Sequence, residues 1–285
     1  MPAQREVKFS LILATVDRVG ELERFFSSLA AQTCSSFECV LVDQNCDDRL
    51  ADLVGRYQSR FPLLHIRAER GLSHARNIGL RHAQGKIVAF PDDDCWYPDN
   101  VLENAASILD QHPEWDGITG IANSGTDAAS VWRWDVAEGL IDRYNVWKRG
   151  ISITLFLRRG ALDRVGGFDE ELGLGAKTSW LSGEETDVLI RAVGLGMKIA
   201  YRPDLVVHHP DAIPDYQKLD LTKVSAYAAG MGHILKKHHY PFAFVLRQLL
   251  WPLGGMAKSV LQRDLYRARY HLSVFAGRLR GWLHS

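Results

Sequence analysis

The chain has few cysteines, and their pattern suggests no structural use. Cys34, Cys39, Cys46 and Cys95 include no CxxC pair and form no ladder with histidine. Zinc sites and disulfide frameworks depend on such spacings. We therefore expect neither of them, and a reducing cytoplasm fits this cysteine usage best.

Long apolar segments are also missing. The first ten residues, MPAQREVKFS, lack the apolar core of a secretory signal. No run of about 18 uncharged apolar residues occurs, so no transmembrane helix is expected. No GxGxxG follows a predicted strand, which argues against a dinucleotide site.

The formal net charge of the 285 residues is zero, but the charge is unevenly distributed. Residues 236–285 carry nine Lys or Arg and one acid, Asp264, so this tail is +8 and residues 1–235 are −8. The division predicts an acidic catalytic body and a basic tail facing an anionic surface. No motif of interleaved basic and aromatic residues accompanies the tail, so no nucleic-acid partner is expected.

Apolar strands and amphipathic helices alternate at short intervals through the first 111 residues. The predicted strands are 7–15, 37–45, 63–69 and 86–90, and the predicted helices are 18–32, 49–61, 71–85 and 99–111. Further on, strands are predicted at 151–159, 198–203 and 205–210, and a helix at 184–196. The alternation predicts an α/β fold with a doubly wound, mainly parallel, Rossmann-like sheet.

Polar residues follow these strands at the ends where such sheets bind ligands. They are Thr15 and Asp17 after the first strand, Asp43 and Gln44 after the second, and Asp92, Asp93 and Asp94 after the fourth. Neighbouring carboxylates raise one another's pKa unless a cation or hydrogen-bond donors compensate. Mg²⁺ and Mn²⁺ prefer carboxylate oxygens and bridge them to phosphates, so the triplet suits a metal–diphosphate complex. The alternative is a solvated turn that caps the next helix.

Three further groups of residues each have a functional and a structural interpretation. Glu184, Glu185 and Asp187 either complement a helix dipole or supply a general base. His208 and His209 are structural residues or, as neutral imidazoles, metal ligands. Arg76 either pairs with a diphosphate or forms a salt bridge.

The aromatic residues of the second half could contact an acceptor. Trp132, Trp134, Tyr144 and Trp147 would suit a sugar-stacking wall, but core or interface packing is the favoured interpretation. Trp180 lies in the Gly-rich loop 172–183, where acceptor contact and core packing are equally plausible. The glycines of this loop would let it close over a bound donor.

From Leu261 onward, apolar residues recur every three or four positions, with Arg263, Arg267 and Arg278 on the other side of the predicted helix. A basic amphipathic helix of this kind can lie in the interface of an anionic bilayer. Packing of the apolar stripe on the catalytic body is the alternative, and the one-sided charge favours the membrane.

Five segments, taken in order, resemble the family 2 glycosyltransferases with a GT-A fold over about residues 7–210. They are LILATVDR with LERFFSSLAAQT, FECVLVDQN, GLSHARNIGLRHAQGKIVAFPDDDCWYPD, GGFDEELG and SGEETDVLIRAVGLGMKIAYRPDLVVHHP. The resemblance implies an inverting transfer of a sugar from a nucleotide diphosphate-sugar to an acceptor hydroxyl, with Mg²⁺ or Mn²⁺ on the diphosphate. The expected setting is cell-surface polysaccharide or glycolipid synthesis, with a glycan or lipid-linked acceptor.

The resemblance also implies roles for particular residues. Glu185 matches the general base, and Asp93, Asp94 and His209 match metal ligands, with Asp93 the first choice in the triplet. The donor positions match Thr15, Asp17, Asp43, Gln44, Arg76 and Asp92, and acceptor contacts are expected from Trp180 and Glu184. Gln44 stands where relatives often carry a second Asp; its amide can accept a hydrogen bond from a pyrimidine and donate one to it, so uracil and thymine both stay possible.

The resemblance predicts a GT-A domain at 1–235, with a donor part at about 7–110 and an acceptor part at about 111–235, followed by the amphipathic helical tail 236–285. The expected location is the cytoplasm, at the cytoplasmic face of the inner membrane. A non-catalytic module that binds nucleotide-sugar or glycan is the alternative function. A nucleotidyltransferase is disfavoured, because ATVDRVGE after the first strand has one Gly and no Lys.

Overall fold

The computed structural model describes residues 7–126, 134–210 and 215–285, and within these ranges eight strands form one sheet. The strands are β1 Phe9–Thr15, β2 Phe37–Asp43, β3 Leu63–Arg67, β4 Ile87–Ala89, β5 Gly117–Asn123, β6 Gly139–Leu140, β7 Phe156–Arg158 and β8 Ile199–His208. The helices are α1 Gly20–Ala30, α2 Ala51–Tyr57, α3 Leu72–His82, α4 Val101–Gln111, α5 Val146–Arg149, α6 Arg159–Val165, α7 Glu184–Gly194, α8 Leu221–Lys237, α9 Phe242–Leu261 and α10 Leu265–Leu283. None of the helices in the described ranges combines the length and the apolar character needed to cross a membrane.

The sheet is mixed and mainly parallel, which confirms the predicted α/β class. Its strand order is β3-β2-β1-β4-β7-β5-β8-β6. The β1–β2, β1–β4, β2–β3 and β5–β8 pairs are parallel, and the pairs of β7 and β6 with their neighbours are antiparallel. Parallel strands need helical crossovers, which the alternating first half of the sequence supplies.

Burial explains why the first strands read as continuous apolar runs. Every residue of β2 is buried, and so is every residue of β1 except Ala14, because helices cover both faces of the sheet. The buried residues of α1 are those whose helical spacing predicts an inward face: Leu22, Phe25, Phe26 and Leu29.

Strand register brings the polar strand ends level with one another. Thr15 pairs with Asp43 at the last position of the β1–β2 ladder. An isolated parallel bridge joins Ala14 to Asp92, beyond the last residue of β4. The predicted convergence of these strand ends is therefore present in the fold.

The second half departs from the predicted elements in two places. The predicted strand 151–159 is a short 3-10 turn, Ser152–Thr154, followed by the three-residue strand β7. The predicted strands 198–203 and 205–210 form the single strand β8. Pro203 is tolerated within it because the β5–β8 register shifts between Thr119 and Ile121, where no regular ladder bond is required.

The described chain divides into two compact units. Among the described residues, the sheet unit comprises 7–70, 74–126, 134–168 and 188–210, and contains all eight strands. The helical unit comprises residues 71–73, 169–187 and 215–285, and contains α8, α9 and α10. The predicted domain boundary after residue 235 falls in the last turn of α8 and stays a prediction.

The tail differs from the single amphipathic helix predicted from Leu261. Helix α9 ends at that residue, and Arg263 has a left-handed φ of 58° before α10 begins. Helix α9 also continues through Pro252. Arg278, expected on an exposed basic side, is half-buried and donates to the carbonyl oxygen of Gln248 at 2.5 Å.

Glycines let α8 and α10 approach until their backbones touch. A Cβ on Gly277 would lie 2.2 Å from the carbonyl oxygen of Ser225, and one on Gly281 would lie 2.0 Å from that of Ala229. A Cβ on Gly232 of α8 would lie 2.0 Å from the carbonyl oxygen of Arg278. These three positions define a glycine seam, in which no larger residue fits unless the helices separate.

Gly281→Ala should therefore lower the free energy of unfolding by about 2 kcal/mol or more, because overpacking typically costs about 1–3 kcal/mol. The matched control is Gly254→Ala in α9, since a Cβ there meets nothing within 4 Å. It should be neutral or stabilising by up to about 1 kcal/mol. Denaturant unfolding followed by far-UV circular dichroism measures both. Equal changes in the free energy of unfolding of the two variants would contradict the close backbone contact at the glycine seam.

Candidate active site

The Asp triplet lies in a turn that is tied to the end of β8. Cys95 N–H donates to the carbonyl oxygen of Asp92 at 3.2 Å, and an antiparallel bridge joins Trp96 to His208. The indole of Trp96 also lies 5.4 Å from the imidazole of His208, measured between ring centroids. These contacts place residue 209 beside the triplet, although more than a hundred residues separate them in sequence.

Asp92 faces the buried guanidinium of Arg76. The side chain of Arg76 is 1% exposed, and its Nη2 lies 3.1 Å from Asp92 Oδ1. Burial raises the pKa of Asp92, and the charge of Arg76 only partly offsets this effect. Of the two interpretations of Arg76, the structure contains the salt bridge, which leaves its role toward a diphosphate as a proposal.

Asp93 joins the ends of β1 and β4. Thr15 Oγ1 donates to Asp93 Oδ2 at 2.7 Å, and Arg18 Nη1 lies 2.7 Å from Asp93 Oδ1. Burial raises the pKa of Asp93 to about 6, even though the hydrogen bond from Thr15 and the charge of Arg18 lower it. This carboxylate has less compensating charge than its burial requires.

Asp94 is the best compensated of the three carboxylates. Arg18 Nη1 lies 2.5 Å from Asp94 Oδ2, and His209 Nε2 lies 3.2 Å from Asp94 Oδ1. Burial alone would raise the pKa of Asp94, but the hydrogen bond and charge of His209, together with Arg18, lower it. The same pair raises the pKa of His209 against the effect of burial.

Arg18 is a site residue that the sequence analysis missed. One nitrogen of its guanidinium bridges Asp93 and Asp94, so a positive charge already lies between the two carboxylates that the resemblance assigns to the metal. The only signal in the sequence is its position three residues after Thr15, on the loop that leaves β1.

Asp17 shapes the loop after β1. Its φ of 63° is left-handed, and its backbone N–H donates to Asn45 Oδ1 at 2.7 Å. Its carboxylate pairs with Arg49 at 3.2 Å and with Arg70 at 2.9 Å. Asp17 thus lies where predicted, within a group of exposed arginine side chains that the sequence analysis did not identify.

Asp43 is fully buried at the end of β2 and is heavily hydrogen-bonded. Its Oδ1 accepts from the backbone and side-chain nitrogens of Asn45 at 2.9 and 2.7 Å. Its Oδ2 lies 2.9 Å from His65 Nε2 and 3.3 Å from Arg67 Nε. His65 and Arg67 alternate along β3, and this period of two could have indicated that they share a face.

Gln44 is buried, and its N–H donates to the carbonyl oxygen of Thr15 at 3.0 Å.

The adjacent histidines at the end of β8 have different environments. His208 Nδ1 lies 2.7 Å from Asn123 Oδ1, and burial lowers the pKa of His208. His209 faces Asp94 instead. The structure thus favours the structural interpretation for His208 and places His209 beside Asp94, while the role of His209 as a metal ligand stays a prediction.

Acidic residues of the helical unit begin α7. Glu184 is buried, Glu185 is half-buried, and Asp187 is fully buried. Asp187 Oδ1 lies 2.7 Å from Lys237 Nζ and 2.8 Å from His238 Nε2 of the α8 C-terminus. Asp187 therefore joins the start of α7 to α8, and this contact fixes the backbone that carries Glu185.

Trp180 stacks on His233, with ring centroids 3.7 Å apart and planes inclined by 22°. Its carbonyl oxygen accepts from the N–H of Gly173, whose φ of 96° requires a glycine-like backbone. Among the other aromatic candidates, Trp134 packs on the core of the sheet unit and donates to the carbonyl oxygen of Ala122 at 2.7 Å. Trp132 lies outside the described residues.

Within the described ranges, no three His, Cys, Asp or Glu side chains are grouped closely enough to hold a metal ion. The donor types are nevertheless suitable, because two carboxylates and an imidazole accept Mg²⁺ or Mn²⁺. The bridging position of Arg18 shows that a cation is accommodated between Asp93 and Asp94. These residues fit a divalent ion if Arg18 gives up its place.

The sheet and its flanking helices have the GT-A arrangement seen in solved glycosyltransferase structures. The sequence profile of "Glycosyl transferase family 2" matches residues 10–163, so the chain belongs to this family, and the resemblance noted in its sequence is confirmed.

Curated relatives are named as glycosyltransferases. Glycosyltransferase AglE of Haloferax volcanii is 24% identical over 213 residues, covering 70% of this chain and 66% of that protein. A PGL/p-HBAD biosynthesis glycosyltransferase of Mycobacterium tuberculosis is 29% identical over 167 residues, covering 56% of this chain and 63% of that protein. The chain thus spans slightly less than two thirds of the length of these relatives.

Two solved structures share the fold at low sequence identity. Mannosyltransferase PcManGT of Pyrobaculum calidifontis, in complex with GDP-Man and Mn²⁺, is 18% identical with a TM-score of 0.71, and the match covers 98% of this chain and 88% of that one. TarS of S. aureus is 18% identical with a TM-score of 0.61, and the match covers 94% of this chain and 55% of that one.

The two histidines should respond to pH in opposite directions. The folded pKa of His209 is raised, so its stabilisation is full below the unfolded value of about 6.5 and is lost as pH rises through the folded pKa. The folded pKa of His208 is lowered, so its stabilisation is present above about 6.5 and is lost as pH falls through the folded pKa.

His209→Gln should therefore cost most stability between about pH 5 and 6, and His208→Gln should cost most near pH 8. Denaturant unfolding with chelator present measures both, and each variant is the control for the other. If the loss of stability changed with pH in the same direction in both variants, the environments assigned to His208 and His209 would be wrong.

Proposed function

We propose that this protein is an inverting glycosyltransferase that moves a sugar from a nucleotide diphosphate-sugar to an acceptor hydroxyl. The observation that carries the proposal is the Asp triplet at the end of β4, beside Thr15 of β1, with cationic groups already gathered on its carboxylates. Family membership supports the reaction class, and the names of the relatives agree with it.

The donor site in this proposal is the edge formed by the ends of β1, β2 and β4. Thr15, Asp17, Asp43 and Gln44 would contact the nucleoside, and Arg76 and Asp92 the diphosphate side. Two fold neighbours support a nucleotide-sugar as donor, since PcManGT was solved with GDP-Man and TarS with UDP-GlcNAc. Those two donors differ in both base and sugar, so for this chain we propose only the class of donor, a nucleotide diphosphate-sugar.

Asp93, Asp94 and His209 would hold a Mg²⁺ or Mn²⁺ ion in place of the Arg18 contact. Such an ion, when bound, supplies charge that stabilises the departing nucleoside diphosphate. The under-compensated Asp93 supports this assignment, because added positive charge would favour its ionised form. Arg18, once displaced, would remain on the loop after β1 as a second cation for the phosphates.

Glu185 is the proposed general base. A carboxylate that removes the proton of the acceptor hydroxyl allows a single displacement at the anomeric carbon, which inverts its configuration. The half-buried position of Glu185 in the first turn of α7, with Asp187 tied to α8, gives it a fixed backbone and a partly accessible side chain. Glu184 and Trp180 of the same unit are the proposed acceptor contacts.

Glu185→Gln should reduce transfer by at least about 10²-fold while leaving donor affinity essentially unchanged, because only proton removal is lost. The matched control is Glu171→Gln, an exposed carboxylate of the same unit that should keep wild-type activity. Donor binding by calorimetry and product formation with a panel of nucleotide-sugars supply the two measurements. Wild-type turnover by Glu185→Gln would remove this residue as the base, and donor binding without transfer by the wild-type protein would favour the non-catalytic alternative.

Asp93→Asn should strongly weaken Mn²⁺ binding. Loss of a residue that only supports a metal ligand typically lowers metal affinity about tenfold to hundredfold, and we expect a larger loss here. The control is Asp52→Asn, an exposed carboxylate on α2 that should bind Mn²⁺ as the wild type does. Calorimetric titration with Mn²⁺, with and without nucleoside diphosphate, provides the measurement. Unchanged affinity in Asp93→Asn would place the metal elsewhere.

The helical unit also has a surface suited to an anionic membrane, which we propose as a partner. Exposed apolar side chains of α9 include Phe242 at 68%, Trp251 at 71% and Leu261 at 85% exposure. Arg247 and Lys258 are exposed on the same helix. Apolar contact combined with basic charge is the usual basis of interfacial binding. The cytoplasmic face of a membrane is the proposed location, and the four free cysteines are consistent with a reducing compartment.

Flotation with phosphatidylglycerol vesicles should carry the wild-type protein upward, whereas phosphatidylcholine vesicles should not. The double change Phe242→Ser with Trp251→Ser should reduce flotation, because it removes exposed apolar anchors without altering charge. Val136→Ser is the control, since Val136 is 95% exposed but belongs to the sheet unit. Membrane binding would be contradicted if the same fraction of wild-type protein stayed soluble with both lipids. It would also be contradicted if Val136→Ser reduced flotation as much as the double change does.

A further inference from the structure

A cleft of about 520 Å³ lies along one side of the contact between α8 and α10, wholly within the helical unit. Its walls are largely apolar and include Val224, Ala228 and Met231 of α8 and Val274 of α10. A volume of this size is in the range of small-molecule sites, which typically measure about 300–1,000 Å³. None of the residues assigned to sugar transfer lines this cleft.

The glycine seam makes the cleft a preformed feature. Gly232, Gly277 and Gly281 bring the two helix backbones into direct contact beside the cleft. The spacing of its walls is therefore set by main-chain packing and not by long side chains that could rearrange. A preformed apolar site binds a ligand without the cost of ordering its walls.

Two cationic side chains complete the lining. Lys223 is exposed near the start of α8, and Arg278 is half-buried on α10. Among the described residues, neither cation has a carboxylate partner, and Arg278 donates only to the carbonyl oxygen of Gln248. Burial lowers the pKa of Arg278, which is the expected result when a cation lacks a nearby anion.

The acid in the lining, Asp220, forms no ion pair with either cation within the described residues. Asp220 is the N-cap of α8, and its Oδ1 accepts from the backbone N–H groups of Thr222 and Lys223 at 2.9 and 3.2 Å. These two hydrogen bonds hold the carboxylate at the N-terminus of the helix. The guanidinium of Arg278 has five donors, so most of its hydrogen-bonding capacity is available to a ligand.

We propose that this cleft binds a single-chain amphipathic anion, with its hydrocarbon tail along the apolar walls and its phosphate or carboxylate head on Arg278 and Lys223. A neutral lipid would leave the cations uncompensated. A fully polar anion would leave the apolar walls uncovered. The proposal concerns a site beyond the proposed transfer reaction and does not depend on it.

The test uses decyl phosphate and decanoate, below the concentrations at which they aggregate, with decanol and inorganic phosphate as matched probes. Calorimetry with the full chain should give one site for each anionic amphiphile. Affinity should be at least about tenfold higher than for decanol, because a charge-assisted hydrogen bond contributes that much. Inorganic phosphate should not bind detectably. Equal affinity for decanol, or equal affinity for inorganic phosphate, would overturn the proposal.

Variants then locate the binding in the cleft. Arg278→Gln should weaken decyl phosphate about tenfold and leave decanol unchanged, whereas Arg280→Gln, an exposed arginine on the same helix, should change neither. Val274→Trp should abolish binding of both amphiphiles by filling the cleft, with circular dichroism confirming the fold. If Val274→Trp misfolds, the comparison of Arg278→Gln with Arg280→Gln is sufficient to show whether decyl phosphate binds in the cleft. Similar losses in Arg278→Gln and Arg280→Gln would mean general attraction to a basic surface and would overturn the proposal.

The double change Phe242→Ser with Trp251→Ser separates the cleft from the membrane surface of α9. Neither side chain lines the cleft, so affinity for decyl phosphate should stay at the wild-type value. A large loss of affinity in this variant would assign the amphiphile to α9 and overturn the cleft proposal.

Discussion

The sheet unit is organised around the electrostatic problem of three consecutive carboxylates at the end of a buried strand. Burial opposes the ionisation of each of them, so each must find a donor or a cation. The partners come from three separate segments: Arg76 from α3, Thr15 and Arg18 from the end of β1 and the loop after it, and His209 from the end of β8. An ion or ligand that binds to these carboxylates must therefore displace one or more of these contacts, and its charge must replace the charge or hydrogen bond that is lost.

Much of the first half of the fold could be predicted because local pattern and tertiary environment agree. Strands β1 and β2 are apolar along their length and are covered on both faces, so their sequence reports their burial directly. Strand β8 was predicted in two pieces because Pro203 is a local breaker, and only the partner strand reveals the register shift that tolerates it. Helix α9 likewise continues through a proline, Pro252.

The site was less predictable, for a different reason. Acidic residues cluster in sequence and are easy to find, whereas their compensating partners are dispersed along the chain. Arg18 carries no signature of its own and His65 only the alternation along β3, and their partners, Asp94 and Asp43, become known only from the fold. The same holds in the tail, where helical periodicity placed Arg278 on an exposed face, but α9 packs nearby and accepts its hydrogen bond.

The division of the chain between its two units has a consequence for the order of synthesis. By the time residue 210 has emerged from a ribosome, every strand of the sheet is available, so the sheet unit can begin to fold during translation. Residues 169–187 belong to the other unit and must wait for the three long helices made last. A nascent chain paused in between would therefore expose the loop bearing Trp180, because its stacking partner His233 lies on α8 and has not yet been made.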